Sequence, residues 1–258
     1  MLDFAIRVAR DAGRLLRDRL GTNFDISHKG DINIVTEVDL ASERLIREQI
    51  ATYYPRHEIL AEESGLKPSA SEYRWVVDPL DGTTNYAHGY PVFCVSIALE
   101  YQEETVLGVV YDPMRDELFA AERGAGAALN NRVIRVSKTG ELVQSLLSTG
   151  FPYDIRTSQL TNLDHWTNFA MNAQALRRDG AAALDLCYVA CGRFDGFWEL
   201  NLSPWDTAAG ALILTEAGGR VSDFSGNRFS NYKPEVLASN GLIHDRMIEI
   251  LRPGSSLT

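Results

Sequence analysis

The sequence predicts a mixed α/β (α+β) fold of layered helices and sheets, on three observations. Helical and strand periodicities alternate along the chain, and a run of short apolar segments with brief polar connections fills its middle as an antiparallel meander would. The 258 residues, 45% of them hydrophobic and 23% charged, also suffice to bury a substantial core.

Residues 2–20 form an amphipathic helix. Phe4, Val8, Ala12, Leu15 and Leu16 recur near helical spacing, arginines occupy the other faces, and Gly21 stops it. A second helix spans 36–54, with Leu40, Leu45, Ile46 and Ile50 on its apolar side and Pro55 beyond it. Ile59-Leu60 is strand-like, and the apolar run 75–77 is a strand expected to end at Asp78-Pro79, where proline removes a ladder donor. Further strands are expected at 93–101, 105–111 and 117–121. Gly124-Ala125-Gly126 is then a hairpin turn, since a dinucleotide loop would need glycine where Leu129 stands.

In the second half, 146–148 is a strand, 160–175 a helix, and 181–190 a helix stopped by Gly192. A strand at 197–200 precedes a helix at 204–217 stopped by Gly218-Gly219. A strand at 236–238 and a C-terminal helix follow. The polar turn Ser137-Lys138-Thr139-Gly140 divides the chain into 1–138 and 139–258, close enough in contact to count as one domain.

Composition excludes several classes. No stretch approaches the ~18 apolar residues of a membrane span. Arg7, Arg10, Arg14, Arg17 and Arg19 leave no room for a signal-peptide core, so a cytoplasmic protein is expected. Cys94, Cys187 and Cys191 make neither a disulfide framework nor a zinc motif, and the five histidines show no metal spacing. The formal net charge of −10 argues against nucleic acid and anionic membranes as partners. An anionic small molecule remains admissible where metal ions reverse the local field.

The chemistry concentrates at Asp78-Pro79-Leu80-Asp81-Gly82-Thr83-Thr84. Two carboxylates stand three residues apart where an apolar strand breaks, a place where a rigid element aims groups that a loop leaves reachable. Carboxylates with a backbone carbonyl suit hard cations such as Mg²⁺, and Gly82 permits a turn that brings N–H groups against a phosphate. Each acidic position also has a plain structural reading. Asp78 to Gly82 fits an ordinary turn, Glu62-Glu63 a solvated loop, and Asp39 and Asp206 helix caps at Thr36 and Ser203-Pro204. Converged in one cleft, two carboxylates ~4 Å apart would repel by roughly 4 kcal/mol at an effective dielectric of ~20, and such a cluster needs cations to hold it.

Over nearly its whole length the chain resembles the inositol monophosphatase family. The resemblance is carried by Trp75-Val76-Val77-Asp78-Pro79-Leu80-Asp81-Gly82-Thr83-Thr84-Asn85 and by Pro204-Trp205-Asp206-Thr207-Ala208-Ala209-Gly210 with Glu216-Ala217-Gly218-Gly219. Ala61-Glu62-Glu63-Ser64 and Val35-Thr36-Glu37-Val38-Asp39 add to it. It implies a five-layer αβαβα sandwich, a homodimer, sensitivity to lithium, and two to three Mg²⁺ ions hydrolysing a small phosphate monoester.

Glu62, Asp78 and the Leu80 carbonyl would hold one ion and Asp78, Asp81 and Asp206 another, with Glu62 sharing a weaker third that carries the attacking water. Thr83, paired with Asp39, would orient and deprotonate that water, and the N–H groups of Gly82 and Thr83 would take the phosphate. Glu199 would contact a substrate hydroxyl in a pocket lined by Gly180, Ala181 and Ala182, with Arg177 reaching in. Relatives carry Ser or Thr at the position of Ala181, so that hydroxyl contact is absent here.

Inositol 1-phosphate or a related polyol phosphate is the leading substrate. Fructose 1,6-bisphosphate, histidinol phosphate and 3′-phosphonucleotides are the alternatives, and a non-catalytic metal-binding partner protein a remote one. Lys29-Gly30-Asp31 is either a loop closing over the metals or a plain exposed turn.

Overall fold

The computed structural model describes residues 1–28 and 33–252, so Lys29-Gly30-Asp31 lies outside the described residues. The chain opens with α1 (Leu2–Arg19), the short antiparallel pair β1 (Ile26–His28) and β2 (Ile34–Thr36), and α2 (Glu37–Tyr53). Then follow β3 (Glu58–Ala61), β4 (Gly65–Lys67), β5 (Tyr73–Asp81), the short α3 (Thr83–Ala87), β6 (Cys94–Tyr101), β7 (Glu104–Asp112), β8 (Glu117–Glu122), β9 (Gly126–Leu129) and β10 (Arg132–Val133). A 3₁₀ turn at Leu142–Gln144 leads into β11 (Leu146–Thr149), α4 (Leu163–Ala170), β12 (Ala175–Arg177), α5 (Ala182–Ala190) and β13 (Gly196–Leu200). The described chain closes with α6 (Pro204–Glu216), β14 (Arg220–Ser222), β15 (Glu235–Ser239) and α7 (His244–Leu251).

The strands make an eight-stranded sheet in the order β10-β9-β8-β7-β6-β5-β3-β4 and a five-stranded one in the order β12-β11-β13-β15-β14. From β5 to β10 every pairing in the larger sheet is antiparallel, as the meander pattern predicts, and only β3 joins β5 in parallel. Alternation along β5 sorts its side chains between two cores. Trp75 and Val77 face α1 and α2, packing with Phe4, Val8, Ile46 and Ile50. Val76 faces the other way, toward Leu184 and Leu186 of α5 and Leu212 and Ile213 of α6. The same two helices cover Phe197, Val236 and Ala238 of the smaller sheet. Trp198 and Leu237 on its far side are covered by Phe169 of α4 and Met247 and Ile248 of α7. The layers are therefore α, β, α, β, α, and each sheet is buried on both faces. That is why its strands read as apolar runs rather than as clean alternation.

The structure differs from the sequence expectation at two places that matter for the site. β5 does not stop at Asp78-Pro79 but continues to Asp81. Its register against β6 shifts there, with Asp78 opposite Ser96 and Asp81 opposite Cys94. Proline cannot donate to the ladder, so the strand bulges past it and keeps pairing on the far side. The helix expected over 160–175 is only Leu163–Ala170, because residues 175–177 pair in parallel with β11 as an edge strand, and sheet formation overrides helical propensity. The Gly124–Gly126 turn does join β8 to β9, and the Glu216 carboxylate accepts from the N–H groups of Gly124 and Gly126 at 2.7 and 2.8 Å.

Candidate active site

A cavity of about 330 Å³ opens where the ends of β5 and β13 meet the N-termini of α5 and α6. One wall carries Glu62, Asp78, Leu80, Asp81, Gly82 and Thr83. The other carries the segment Gly150 to Tyr153, Arg178, Gly180, Ala181, Ala182, Glu199, Trp205 and Asp206. The cavity thus brings together every site residue read from the sequence except Asp39 and Arg177. Asp39 is fully buried behind the wall and reaches it through Thr83, whose hydroxyl donates to Asp39 Oδ1 at 2.9 Å. Arg177 does not line the cavity. The basic side chain there is its neighbour Arg178, because residues 175–177 are an edge strand rather than a helix end.

Each carboxylate is held by the local structure its sequence dictates. The bulge at Pro79 lets Asp78 Oδ1 accept from the Leu80 N–H at 3.0 Å. Asp81 Oδ2 accepts from the Ala183 N–H at 2.8 Å, tying the larger sheet to the start of α5. Asp206 caps α6, accepting the Ser203 N–H at 2.6 Å, and Asp39 caps α2, accepting the Thr36 N–H at 2.9 Å. The capping and functional readings are therefore not rivals. At Asp39 one oxygen closes the capping box and the other meets Thr83. Gly82, at φ 96°, could not be replaced without strain, since a Cβ there would lie 2.9 Å from the Val92 carbonyl oxygen. Gly150 is similarly required, because its missing side chain leaves the space in which the Glu199 carboxylate lies.

The electrostatics are those of carboxylates without enough positive charge. Burial, then the charges of Glu62, Asp81 and Asp206, push the Asp78 carboxyl well above its usual range. Burial foremost raises Asp81 to about 7, with Glu62 adding and the Ala183 N–H opposing. Burial and then Asp81 raise Asp206 to about 7. Asp78 and Asp206 lie close enough to influence each other's protonation, each carboxylate disfavouring charge on its neighbour. Glu199 is raised to about 8 by burial and Asp206, while Arg178 pulls it down. Asp39 is also raised by burial, against the bonds from Thr36.

Among the described residues no three acidic, histidine or cysteine side chains are drawn into a chelating arrangement, and backbone N–H groups of Leu80, Ala183 and Ser203 fix the three aspartates. The donor types are carboxylate oxygens with the Leu80 carbonyl beside them. They fit a hard divalent cation and not zinc or a soft metal. Cys94 lies next to Asp81, but burial raises its thiol pKa and keeps it a neutral packing group.

Sequence reasoning missed Arg178, the Phe151-Pro152-Tyr153 segment and the role of Trp205 as wall. The aromatic segment has no periodicity, and only the edge strand fixes which of Arg177 and Arg178 meets the cleft. Trp205 stood inside the motif beside Asp206 and was the one legible signal among them.

Five alternating layers with a carboxylate-lined cleft at the junction of two sheets define a layered α/β phosphatase. The model of the inositol monophosphatase family matches residues 1–255, and the chain belongs to that family. It is 45% identical to the protein named Nus factor SuhB of Pseudomonas aeruginosa, over 98% of this chain and 96% of the relative. To the inositol-1-monophosphatase of Synechocystis it is 44% identical, over 97% and 88%. The solved inositol monophosphatase of Anabaena superposes with a TM-score of 0.89 at 45% identity, over 97% of this chain and 94% of that one.

Proposed function

We propose that this chain hydrolyses a small phosphate monoester, inositol 1-phosphate or a related polyol phosphate first among them, with Mg²⁺ as cofactor. The observation that carries the reading is the set of buried carboxylates, each raised in pKa by burial and its neighbours, facing a cavity at whose wall Thr83 donates to a buried Asp39. Glu62, Asp78, Asp81, Asp206 and the Leu80 carbonyl would hold the ions. Bound there, Mg²⁺ would neutralise the phosphate and lower the pKa of water.

The chain's own residues do the rest. Thr83 has one hydroxyl proton for two acceptors, Asp39 Oδ1 at 2.9 Å and the Leu80 oxygen at 3.1 Å. Given to Asp39, it leaves the Thr83 oxygen free to accept a proton from water. The raised pKa of Asp39 makes that carboxylate a willing proton holder. The N–H groups of Gly82 and Thr83 are the phosphate donors in this reading. Glu199 meets a substrate hydroxyl, and Gly180, Ala181 and Ala182 shape the pocket around it. No side-chain nucleophile is needed, because phosphoryl transfer asks chiefly for positioning and charge neutralisation. The halves 1–138 and 139–258, a homodimer, lithium sensitivity and a cytoplasmic setting belong to the same reading.

Several relatives carry the name Nus factor. The net charge of −10 disfavours direct contact of this chain with nucleic acid, and the cleft's composition favours catalysis.

The test is phosphate release with Mg²⁺ from myo-inositol 1-phosphate, fructose 1,6-bisphosphate, histidinol phosphate and adenosine 3′,5′-bisphosphate, each with an EDTA control. Hydrolysis that depends on Mg²⁺, greatest for the inositol ester, is expected. Release unaffected by EDTA, or none from any ester, would contradict the reading.

A further inference from the structure

The helix behind the cleft does more than carry Asp39. Asp39, Ser42 and Glu43 stand at i, i+3 and i+4 on α2, so they share one face, and all three are buried. Each reaches a different segment of the carboxylate wall. Asp39 accepts from the Thr83 hydroxyl. Ser42 donates its hydroxyl to the Pro79 carbonyl at 2.9 Å, and Glu43 Oε2 accepts the Glu63 N–H at 2.8 Å. A helix that only had to cover the sheet would present apolar side chains, as Val38, Ile46 and Ile50 do. Three buried polar side chains aimed at three turns of one wall call for a second purpose.

Ser42 and Glu43 act where the sheet lets go of the backbone. The register of β5 against β6 shifts between Asp78 and Asp81, which takes the Pro79 carbonyl out of the regular ladder. Ser42 supplies its partner. The N–H of the same peptide, that of Leu80, goes to Asp78 Oδ1 at 3.0 Å, so the Pro79–Leu80 peptide is fixed at both ends. Past the end of β3 the Glu62 N–H bonds to the Val77 carbonyl of β5 at 3.2 Å, and the Glu63 N–H turns to Glu43 instead. The backbone is thus pinned on both sides of the Glu62 side chain. The other oxygen of Glu43 takes Arg47 at 3.3 Å, so its buried charge is answered.

The segments so held carry one of the two proposed ligand sets. Glu62, Asp78 and the Leu80 carbonyl lie on them, whereas Asp81 and Asp206 are tied to the Ala183 and Ser203 N–H groups. Neither Ser42 nor Glu43 lines the cavity. We infer that Ser42 and Glu43 are positioning residues that brace the Glu62, Asp78 and Leu80 ligand set for its cation, acting through the backbone without touching the ion. This rests on the phosphatase reading of the cleft. Ligands fixed before the ion arrives need no ordering when it binds. Loss of a group that orients metal ligands costs on the order of 10- to 100-fold in affinity.

The experiment measures calorimetric Mg²⁺ affinity and metal-free melting temperature for the EDTA-stripped wild type, Glu43→Ala, Glu43→Gln and Ser42→Ala. Tyr232→Phe serves as a variant that loses a buried hydrogen bond belonging to the fold alone. Mg²⁺-dependent phosphate release from myo-inositol 1-phosphate is followed in parallel. Glu43→Ala is expected to weaken Mg²⁺ binding about tenfold and to raise the half-saturating Mg²⁺ concentration to match, with kcat at saturating Mg²⁺ close to that of the wild type. Glu43→Gln should recover most of the affinity, because an amide oxygen can still accept the Glu63 N–H. Ser42→Ala should weaken binding about threefold, the size of one lost neutral hydrogen bond. Tyr232→Phe should lower the melting temperature and leave Mg²⁺ affinity where it was. Unchanged affinity in Glu43→Ala and Ser42→Ala, or a Glu43→Gln no tighter than Glu43→Ala, would overturn the assignment while leaving the phosphatase reading standing. If Glu43→Ala does not fold, Ser42→Ala decides alone, and wild-type affinity there overturns the brace. A wild type that neither binds Mg²⁺ nor releases phosphate would overturn both.

Discussion

Two sets of buried carboxylates in this molecule are treated in opposite ways. Asp112 and Glu100, in the larger sheet, are answered from within the protein. Asp112 accepts from the N–H groups of Met114 and Arg115 at 2.8 and 3.0 Å and from the Arg115 guanidinium at 2.9 Å. Glu100 accepts from the Tyr232 hydroxyl at 2.7 Å and from Asn231 at 3.3 Å, with Arg74 at 3.9 Å. Asp78, Asp81 and Asp206 have a backbone N–H apiece, with the Cys94 thiol also donating to Asp81, and among the described residues no basic side chain pairs with them. Burying a charge without a partner costs stability, so the first set serves the fold while the second is a cost the fold carries for another purpose. A protein that could place Arg115 against Asp112 could have placed one against Asp81, and the difference is what the proposed binding of an external cation accounts for.

The sharpest way to break this contrast is Asp81→Asn. On our account it lowers Mg²⁺-dependent phosphate release by on the order of a thousandfold, several kcal/mol of lost charge stabilisation, while metal-free thermal stability stays level or rises. A fully active variant would remove Asp81 from the mechanism. Thr83→Ala should lower turnover by about a hundredfold, the usual reach of a positioned proton acceptor. Its half-saturating Mg²⁺ concentration should stay close to that of the wild type. A large shift in that concentration with little loss of turnover would make Thr83 part of the ion site instead.

A third prediction uses pH. Asp81 and Asp206 have folded-state pKa values near 7, against 3.8 for the ordinary side chain. Between about pH 4 and 7 the unfolded chain therefore binds fewer protons than the folded one, and stability falls as pH rises through that window. In metal-free protein the melting temperature should drop over this range, and saturating Mg²⁺ should reverse most of the drop. A melting temperature that climbs steadily from pH 4 to 7 without metal would refute the frustrated cluster. The smallest effect is expected from the satisfied set. Tyr232→Phe removes one hydrogen bond to Glu100 and should cost about 1 kcal/mol in denaturant unfolding, with kcat/KM unchanged.

The same division explains what could be read in advance. The wall made by Asp78 to Thr83 was legible because its chemistry is local. Strand, proline, glycine and carboxylates are all contiguous, and their joint pattern has few other uses. The caps at Thr36 and Ser203 were equally local, which is why two helix starts, the cleft carboxylate Asp206 and the buried Asp39 behind the wall could be read from the same residues. What was not legible depends on pairing over long separations. The extension of β5 past Pro79 needs β6 as partner, and the strand at 175–177 exists only because β11 lies beside it. From that edge strand follows the replacement of Arg177 by Arg178 at the cleft. Phe151 and Tyr153 reach it from a segment without regular structure, where no periodicity points to a face.

The most direct test of the central claim is a calorimetric Mg²⁺ titration of EDTA-stripped protein at pH 7, in buffers of different ionisation enthalpy, for the wild type and Asp206→Asn. Asparagine can still cap α6, so the fold is kept while one carboxylate charge is lost. The account predicts that the wild type binds Mg²⁺ with release of protons, because ion binding lowers the raised carboxylate pKa values, and that Asp206→Asn binds far more weakly. Mg²⁺ binding of equal strength in both proteins, or no binding in the wild type, would contradict it.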